Sequence, residues 1–110
     1  YYKERLSHIP GIRFFEDNVD IQKNYAYFPI VVSEDYSMTR DELYEKLKEN
    51  NIFSRKYFYP ITSDQACFRN KYKKCELESA RWLSKHILVL PFYEQLELAN
   101  IDRVVELMCV

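Results

Sequence analysis

Glycine is almost absent from this sequence. One of its 110 residues is glycine, whereas an average protein contains about 7%. Loops that cradle phosphate groups need several glycines at fixed spacing, because only glycine lets the backbone approach the phosphate closely. The composition therefore excludes a P-loop and a dinucleotide-binding fingerprint from this chain.

Strong charge of one sign and long apolar runs are also missing. The formal net charge is −1, which argues against a surface that binds nucleic acid or membranes through charge. The longest apolar runs, such as 87–91, are far shorter than the roughly 20 residues that span a bilayer. The charged, polar opening 1–7 is unlike a signal peptide. We therefore expect a cytoplasmic protein with neither nucleic-acid nor membrane partners.

Paired cysteines are missing as well. The cysteines are Cys67, Cys75 and Cys109, and their spacing contains no CxxC pair, which argues against a disulfide framework and a closed zinc site. We expect reduced, mostly buried thiols. No Ser-His-Asp arrangement or carboxylate pair can be argued from spacing, and the acidic residues follow no metal-site pattern. The sequence therefore indicates no catalytic and no metal-ligating residue.

Aromatic residues, by contrast, are abundant. They make up 16% of the chain, and hydrophobic residues make up 47%, which is far more than a disordered chain carries. A chain of 110 residues can bury roughly two-thirds of its unfolded surface in one core and is too short for two independent cores. We therefore expect residues 1–110 to form a single domain.

The pattern of apolar residues predicts an alternation of strands and helices. Strands are predicted at 24–32, 52–60 and 87–91, and helices at 1–6, 39–50, 75–85 and 98–108. Thr39 and Glu42 form a capping box, and Asn51 can adopt the left-handed conformation that ends the same helix. Pro29 lacks a backbone donor, so its strand should lie at an edge or contain a bulge. Because the first helix begins in mid-pattern, we expect the chain to be part of something longer.

These elements predict a fold class. Two of the crossovers between strands pass through helices, and only about three strands are available. We therefore predict an α+β fold, with a small antiparallel or mixed sheet of about three strands and helices packed on one face.

The segment Arg55–Pro60 combines cations, aromatic residues and a proline. An arginine can hold a phosphate or carboxylate through two hydrogen bonds, and a tyrosine ring can stack on a sugar or a base. The segment can thus form the wall of a ligand site, or it can be an amphipathic strand whose alternate aromatics pack in the core. A second cationic run, Arg69–Lys74, can attract an anionic ligand but is more often a solvated face.

Six segments of the chain stand in an order that resembles a known family. They are the helix exit Ile9–Ile12 (IPGI), the strand Tyr25–Val32, the helix start Arg40–Leu43 (RDEL), the strand Ile52–Pro60, the strand Leu88–Pro91 and the closing helix Ile101–Leu107. Across essentially the whole chain they resemble the C-terminal small domain of the DegT/DnrJ/StrS family of pyridoxal-phosphate-dependent sugar aminotransferases. Asn51 stands where this family usually has glycine.

The resemblance implies a function for the whole protein. Such an enzyme would transfer an amino group, typically from glutamate, to a nucleotide-linked keto deoxysugar of the dTDP type. Pyridoxal phosphate would be held by a large domain outside this chain. We therefore expect no cofactor-binding residue here, no activity of this chain alone, and a homodimer for the full-length protein.

The resemblance also points to substrate contacts in this chain. It implies Arg55, Tyr57, Tyr59 and Ser63 as substrate-binding residues. Many members of the family carry a histidine shortly after the matching Tyr-Pro, where this chain has Thr62 and Ser63. Two other interpretations stay open: a stand-alone module that grips an anionic ligand through Arg55 and its aromatic neighbours, and a scaffold that binds a protein partner.

Overall fold

The computed structural model describes residues 1–68, 71 and 74–109. The elements are α1 (Tyr2–Leu6), β1 (Ile12–Phe14), β2 (Phe28–Val32), α2 (Arg40–Glu49), α3 (Glu78–His86), β3 (Ile87–Leu90) and α4 (Leu98–Met108). Short 3₁₀ turns occupy Thr62–Asp64, Ala66–Phe68 and Lys74–Leu77. Within the described ranges, no helix is long and apolar enough to cross a membrane.

The three strands form one antiparallel sheet in the order β1-β2-β3. Ile12 pairs with Val32 between β1 and β2, and Phe28 pairs with Leu90 between β2 and β3. The predicted α+β class is therefore confirmed, and the sheet is antiparallel rather than mixed.

One predicted strand is wrong. The segment 52–60 contributes a single bridge to the sheet, between Arg55 and Val89. Directly after this bridge the chain turns, with the Tyr59 N–H donating to the Lys56 carbonyl at 2.9 Å, so the pairing cannot continue. The third strand is instead β1, whose three residues are too few to show an alternating pattern.

The position of Pro29 differs from the prediction, because β2 is the central strand and not an edge. Val89 exchanges both backbone hydrogen bonds with Arg55, at 2.8 and 2.9 Å. Pro29 lies opposite Val89, so this is a non-hydrogen-bonded pair and the Pro29 nitrogen faces the β1 side. There β1 has already ended at Phe14, opposite Ile30, so no ladder bond is lost.

The hydrophobic core lies on one face of the sheet. Side chains alternate along each strand, so Ile30 and Val32 join the core cluster, whereas Val31 points to the other face. Helices α1, α2 and α4 cover the core face with the buried residues Tyr2, Leu6, Leu43, Leu47, Ile101, Val104, Val105 and Met108. The sheet and these three helices therefore form the rigid base for the segment that follows α2.

Both ends of α2 are set by local sequence. The Thr39 side chain accepts from the Glu42 N–H while the Glu42 carboxylate accepts from the Thr39 N–H, which confirms the capping box. At the other end Asn51 has φ +61°, and the Ile52 N–H donates to the Leu47 carbonyl at 2.9 Å, as in a Schellman motif. The predicted left-handed residue is thus confirmed, and the chain leaves α2 in a defined direction.

The single glycine, Gly11, allows its backbone to lie close to the backbone of Tyr36. Gly11 has φ +80°, and a Cβ there would lie 2.1 Å from the Tyr36 backbone nitrogen. Its carbonyl accepts from the Ser33 N–H at 2.8 Å and from the Ser33 Oγ at 3.0 Å. Gly11 therefore holds the α1–β1 connection against the loop after β2, where no other residue fits.

Tyr36 makes the stability of this fold sensitive to high pH. Its ring is 8% exposed, its hydroxyl donates to the Met108 carbonyl at 2.7 Å, and burial raises its pKa to about 12 from 10.0. Below pH 10 both folded and unfolded chains keep the proton. Above it the unfolded chain ionises first, so the free energy of unfolding falls as pH rises towards 12.

We expect Tyr36→Phe to lower the free energy of unfolding by about 1 kcal/mol at pH 7, through the lost hydrogen bond. The difference in the free energy of unfolding between the original protein and the variant should narrow from pH 10 upwards and reverse by pH 12, because phenylalanine cannot ionise. Urea unfolding at pH 7, 10 and 12 measures this. Tyr2→Phe should behave in the same way, since burial also raises the pKa of Tyr2 to about 12. A difference that stays constant over this range would contradict the prediction.

Candidate functional site

Residues Arg55–Pro60, which we call the site segment, lie along the edge of β3 that faces away from β2. The Arg55 N–H donates to the Val89 carbonyl at 2.9 Å, and the Val89 N–H donates to the Arg55 carbonyl at 2.8 Å. The turn from Lys56 to Tyr59 follows at once. The segment is therefore fixed to the sheet at its first residue and projects its next residues beyond the strand.

Arg55 carries an uncompensated positive charge at this edge. Its side chain is exposed, and its Nη1 donates to the Tyr57 hydroxyl. This hydrogen bond raises the pKa of the guanidinium further. In the part of the chain that the structure describes, no carboxylate lies within ion-pair distance of Arg55. Its remaining N–H groups are available to a phosphate or carboxylate.

Aromatic rings stand beside this charge. The Tyr57 ring stacks with Phe58 at a centroid distance of 5.0 Å and meets Tyr27 edge-on at 5.5 Å. Phe58 is 72% exposed and Tyr27 57% exposed, so their faces are accessible. Sugars and bases pack on such surfaces, and together with Arg55 these rings form a concentrated polar and aromatic cluster.

The sequence prediction missed Tyr27. It belongs to the predicted strand 24–32 but lies just before β2 begins at Phe28. No periodicity distinguishes Tyr27 from the strand residues that follow. The contact with Tyr57 joins two distant segments, so only the tertiary structure reveals it.

Tyr59 points to a different neighbour. The Arg40 Cζ lies over its ring at 5.2 Å from the centroid, and the residue is 53% exposed. Tyr59 thus lies on the α2 side of the turn, while Arg55 and Tyr57 lie together. The structure leaves its predicted role in substrate binding as a prediction.

Ser63 lies outside the Arg55–Tyr57 pair. It lines a pocket of about 290 Å³ together with Thr62, Phe68 and Leu77. Its Oγ is buried and has no hydrogen-bond partner among the described residues. The pocket is separate from the exposed face of Arg55, so the four predicted site residues occupy three neighbouring environments rather than one.

Lys56 ties the site segment to α2. Its Nζ lies 2.6 Å from the Asp41 Oδ1 and 4.2 Å from the centre of the Tyr44 ring. The hydrogen bond from Lys56 lowers the pKa of the Asp41 carboxyl. Lys56 therefore faces the helix and Arg55 faces solvent, which is the alternation expected of an extended chain.

The remaining sequence candidates add nothing to this cluster. Cys67 and Cys109 are free thiols as expected, but both are exposed rather than buried. No group of histidine, cysteine and acidic side chains in the described ranges can hold a metal ion. Outside the described residues lie Arg69 and Lys73 of the cationic run, and the side chains of Lys74 and Cys75 are not described either.

Comparison with known proteins places the whole chain in one family. Residues 1–109 match the DegT/DnrJ/EryC1/StrS aminotransferase family. The dTDP-4-amino-4,6-dideoxy-D-glucose transaminase of Escherichia coli is 37% identical over 109 residues, which cover 97% of this chain and 29% of the relative. The Shigella dysenteriae transaminase of the same name is 36% identical over 96 residues, which cover 87% of this chain and 26% of the relative.

Solved structures share the fold. DesI, crystallised in the presence of its TDP-sugar product, is 25% identical and superposes with a TM-score of 0.87 over 97% of this chain and 27% of its own. DesV of S. venezuelae, in complex with a ketimine intermediate, is 20% identical, with a TM-score of 0.83 over 96% of this chain and 28% of its own; this likeness concerns the fold alone. The chain thus spans less than a third of the length of these relatives. Because the family match covers residues 1–109, the chain belongs to the DegT/DnrJ/EryC1/StrS aminotransferase family.

Proposed function

We propose that residues 1–110 are the C-terminal small domain of a longer, pyridoxal-phosphate-dependent aminotransferase. The full-length enzyme transfers an amino group from glutamate to a dTDP-linked keto deoxysugar. Support for the substrate class comes from the two transaminases that are 36–37% identical, whose names specify a dTDP-linked amino deoxysugar. Support for a longer protein comes from coverage, since the chain matches only 26–29% of those relatives.

Two pockets formed by the described residues do not fit pyridoxal phosphate. Such a cofactor needs a lysine amine for its aldehyde and donors for its phosphate. A pocket of about 400 Å³ is lined by His8, Ile9, Pro10, Asp35, Tyr36, Ser37, Met108 and Cys109, and neither this pocket nor the one at Ser63 is lined by a lysine. Gly11, the single glycine, already lies against the Tyr36 backbone, so it does not form a loop for the cofactor phosphate. Neither pocket thus offers a lysine for the cofactor, which supports the proposal that a large domain outside this chain holds it.

The proposed contribution of this chain is to hold the nucleotide sugar. The observation that carries it is the exposed Arg55–Tyr57 pair, where a cation without a carboxylate partner in the described ranges lies against an aromatic wall. The Arg55 guanidinium binds a phosphate of the substrate, and Tyr57 with its neighbours packs against the sugar or base. Tyr59 at the end of the turn and Ser63 in its separate pocket complete the proposed contacts. The glutamate donor, the homodimer and the inactivity of the isolated chain rest on likeness to the family, and the proposed cytoplasmic location rests on the sequence pattern.

We expect Arg55→Ala in the full-length protein to raise the KM for the dTDP-linked keto sugar by about tenfold or more. A hydrogen bond to a charged group contributes about 1.5–3 kcal/mol, and each 1.4 kcal/mol corresponds to about a tenfold change in affinity. The KM for glutamate should stay unchanged. Steady-state kinetics with each substrate varied in turn measures both values.

Arg13→Ala is the matched control for this substitution. Arg13 is also an exposed arginine, but it pairs with Asp35 at 3.4 Å and lies on β1, at the opposite edge of the sheet. The Arg13→Ala substitution should leave the KM values for the nucleotide sugar and for glutamate unchanged. An Arg55→Ala protein that folds normally and keeps its KM for the nucleotide sugar would refute the proposed role of the site segment.

The small-domain proposal also predicts the behaviour of the isolated chain. Large apolar side chains are exposed at several positions, among them Phe53 at 70% and Phe58 at 72%. Contiguous apolar surface normally marks an interaction surface, and under this proposal these side chains face the remainder of the longer protein. We expect the isolated 110-residue chain to self-associate at micromolar concentration, as measured by sedimentation velocity.

The paired substitution Phe53→Ser and Phe58→Ser should shift the isolated chain towards monomer, because it removes two of these side chains. The control is Val19→Ser, since Val19 is 99% exposed but lies in the loop between β1 and β2. A monodisperse monomer that binds dTDP-sugars by itself would contradict the small-domain proposal and favour a stand-alone binding module.

A further inference from the structure

Arg40 is a buried cation that the proposed substrate contacts do not use. It is 3% exposed and begins α2. Its Nη1 donates to the Ser84 carbonyl at 3.0 Å and to the Ile87 carbonyl at 2.9 Å, and its Nε donates to the Asp41 Oδ1 at 2.9 Å. One side chain therefore connects the start of α2 with the junction between α3 and β3.

The same guanidinium also contacts the site segment, at Tyr59. Its Cζ lies 5.2 Å from the centre of the Tyr59 ring, within the range of about 6 Å for cation–π attraction. Tyr59 is 53% exposed, so the ring covers the buried cation and still presents surface to solvent. The orientation of Tyr59 is therefore coupled to the position of Arg40.

Asp41 adds a second attachment. Its Oδ1 accepts from the Arg40 Nε and also lies 2.6 Å from the Lys56 Nζ. The first two residues of α2 thus hold Lys56 and Tyr59, which stand on either side of the Tyr57–Phe58 pair. With the backbone of Arg55 bonded to β3, the site segment is attached at Arg55, at Lys56 and at Tyr59.

We propose that Arg40 is a positioning residue for the nucleotide-sugar site: its buried guanidinium orients Tyr59 directly and Lys56 through Asp41, and thereby sets the direction in which Arg55 and Tyr57 face the substrate. This inference rests on the proposed function for its effect on substrate binding, but not for its effect on Tyr59.

The geometry requires an arginine. Burying a charge is costly unless its donors are paired, and here two carbonyls and a carboxylate receive three hydrogen bonds while the flat face meets a ring. A lysine has one nitrogen and no planar face, so it cannot make these contacts together. Arg40→Lys therefore keeps the charge and removes the orientation.

The first experiment is spectroscopic and independent of catalysis. 3-Fluorotyrosine is placed at position 59 of the full-length protein, and ¹⁹F spectra are compared with and without Arg40→Lys. We expect a shifted, broadened resonance in the variant, because the ring loses the planar guanidinium that lies over its face. Arg103→Lys is the matched control, since Arg103 also donates to a backbone carbonyl, that of Asn50 at 3.1 Å, and it should leave the resonance unchanged. An unchanged resonance in Arg40→Lys would overturn the proposal.

The second experiment measures the effect on substrate binding. Arg40→Lys should raise the KM for the dTDP-linked keto sugar about tenfold, because small displacements of a binding group cost large factors. The KM for glutamate should not change, whereas a merely structural defect would lower the amount of active enzyme and leave both KM values as they were. Tyr59→Leu should cause a similar increase, and the double variant should add less than a further twofold. Fully multiplicative effects would overturn the coupling of the two residues.

Asp41→Asn covers the case in which Arg40→Lys fails to fold. Asp41 has a side chain that is 62% exposed, so its replacement leaves the core intact while it weakens the attachment of Arg40 to Lys56. It should shift the ¹⁹F resonance of position 59 and raise the KM for the nucleotide sugar about threefold. A wild-type spectrum and KM would overturn the proposal. If Arg55→Ala leaves the KM unchanged, the proposed function fails, and the ¹⁹F spectra still decide whether Arg40 orients Tyr59.

Discussion

The backbone of Val89 joins the core of this protein to its candidate site. Its N–H and C=O both point away from β2 and bond to Arg55, at 2.8 and 2.9 Å. Its neighbours Leu88 and Leu90 point into the core and are 0% and 2% exposed. The edge strand β3 therefore contributes to the core and also binds the site segment along its outer edge. The same pairing explains why a proline is tolerated in the central strand β2.

Some residues of the site segment attach it to the rest of the protein, and others are exposed and can contact a ligand. Lys56 and Tyr59 face α2, where Asp41 and Arg40 hold them, while Arg55 and Phe58 are exposed. Preorganisation of this kind lowers the entropic cost of ordering a binding loop when a ligand arrives. The segment can thus be exposed and yet well defined, because its fixed residues alternate with its accessible ones.

Electrostatics distinguish Arg55 from four other arginines that the structure describes: Arg5, Arg13, Arg40 and Arg81. Each of these four pairs with a carboxylate. Arg55 instead donates to the Tyr57 hydroxyl, which orients the guanidinium without pairing it with a carboxylate. This leaves a directed cation next to aromatic rings, an arrangement suited to a phosphate that is joined to a sugar or a base.

The sequence by itself determined the elements whose signals are local. The limits of α2 follow from Thr39, Glu42 and Asn51, because caps act within one helical turn, and the aromatic and cationic residues of Arg55–Pro60 mark the candidate site without any structure. Only the tertiary structure decided that 52–60 forms one bridge instead of a strand, that Tyr27 joins Tyr57, and that Arg40 is buried beneath Tyr59. Each of these depends on contacts between segments far apart in the chain, which no local pattern of residues specifies.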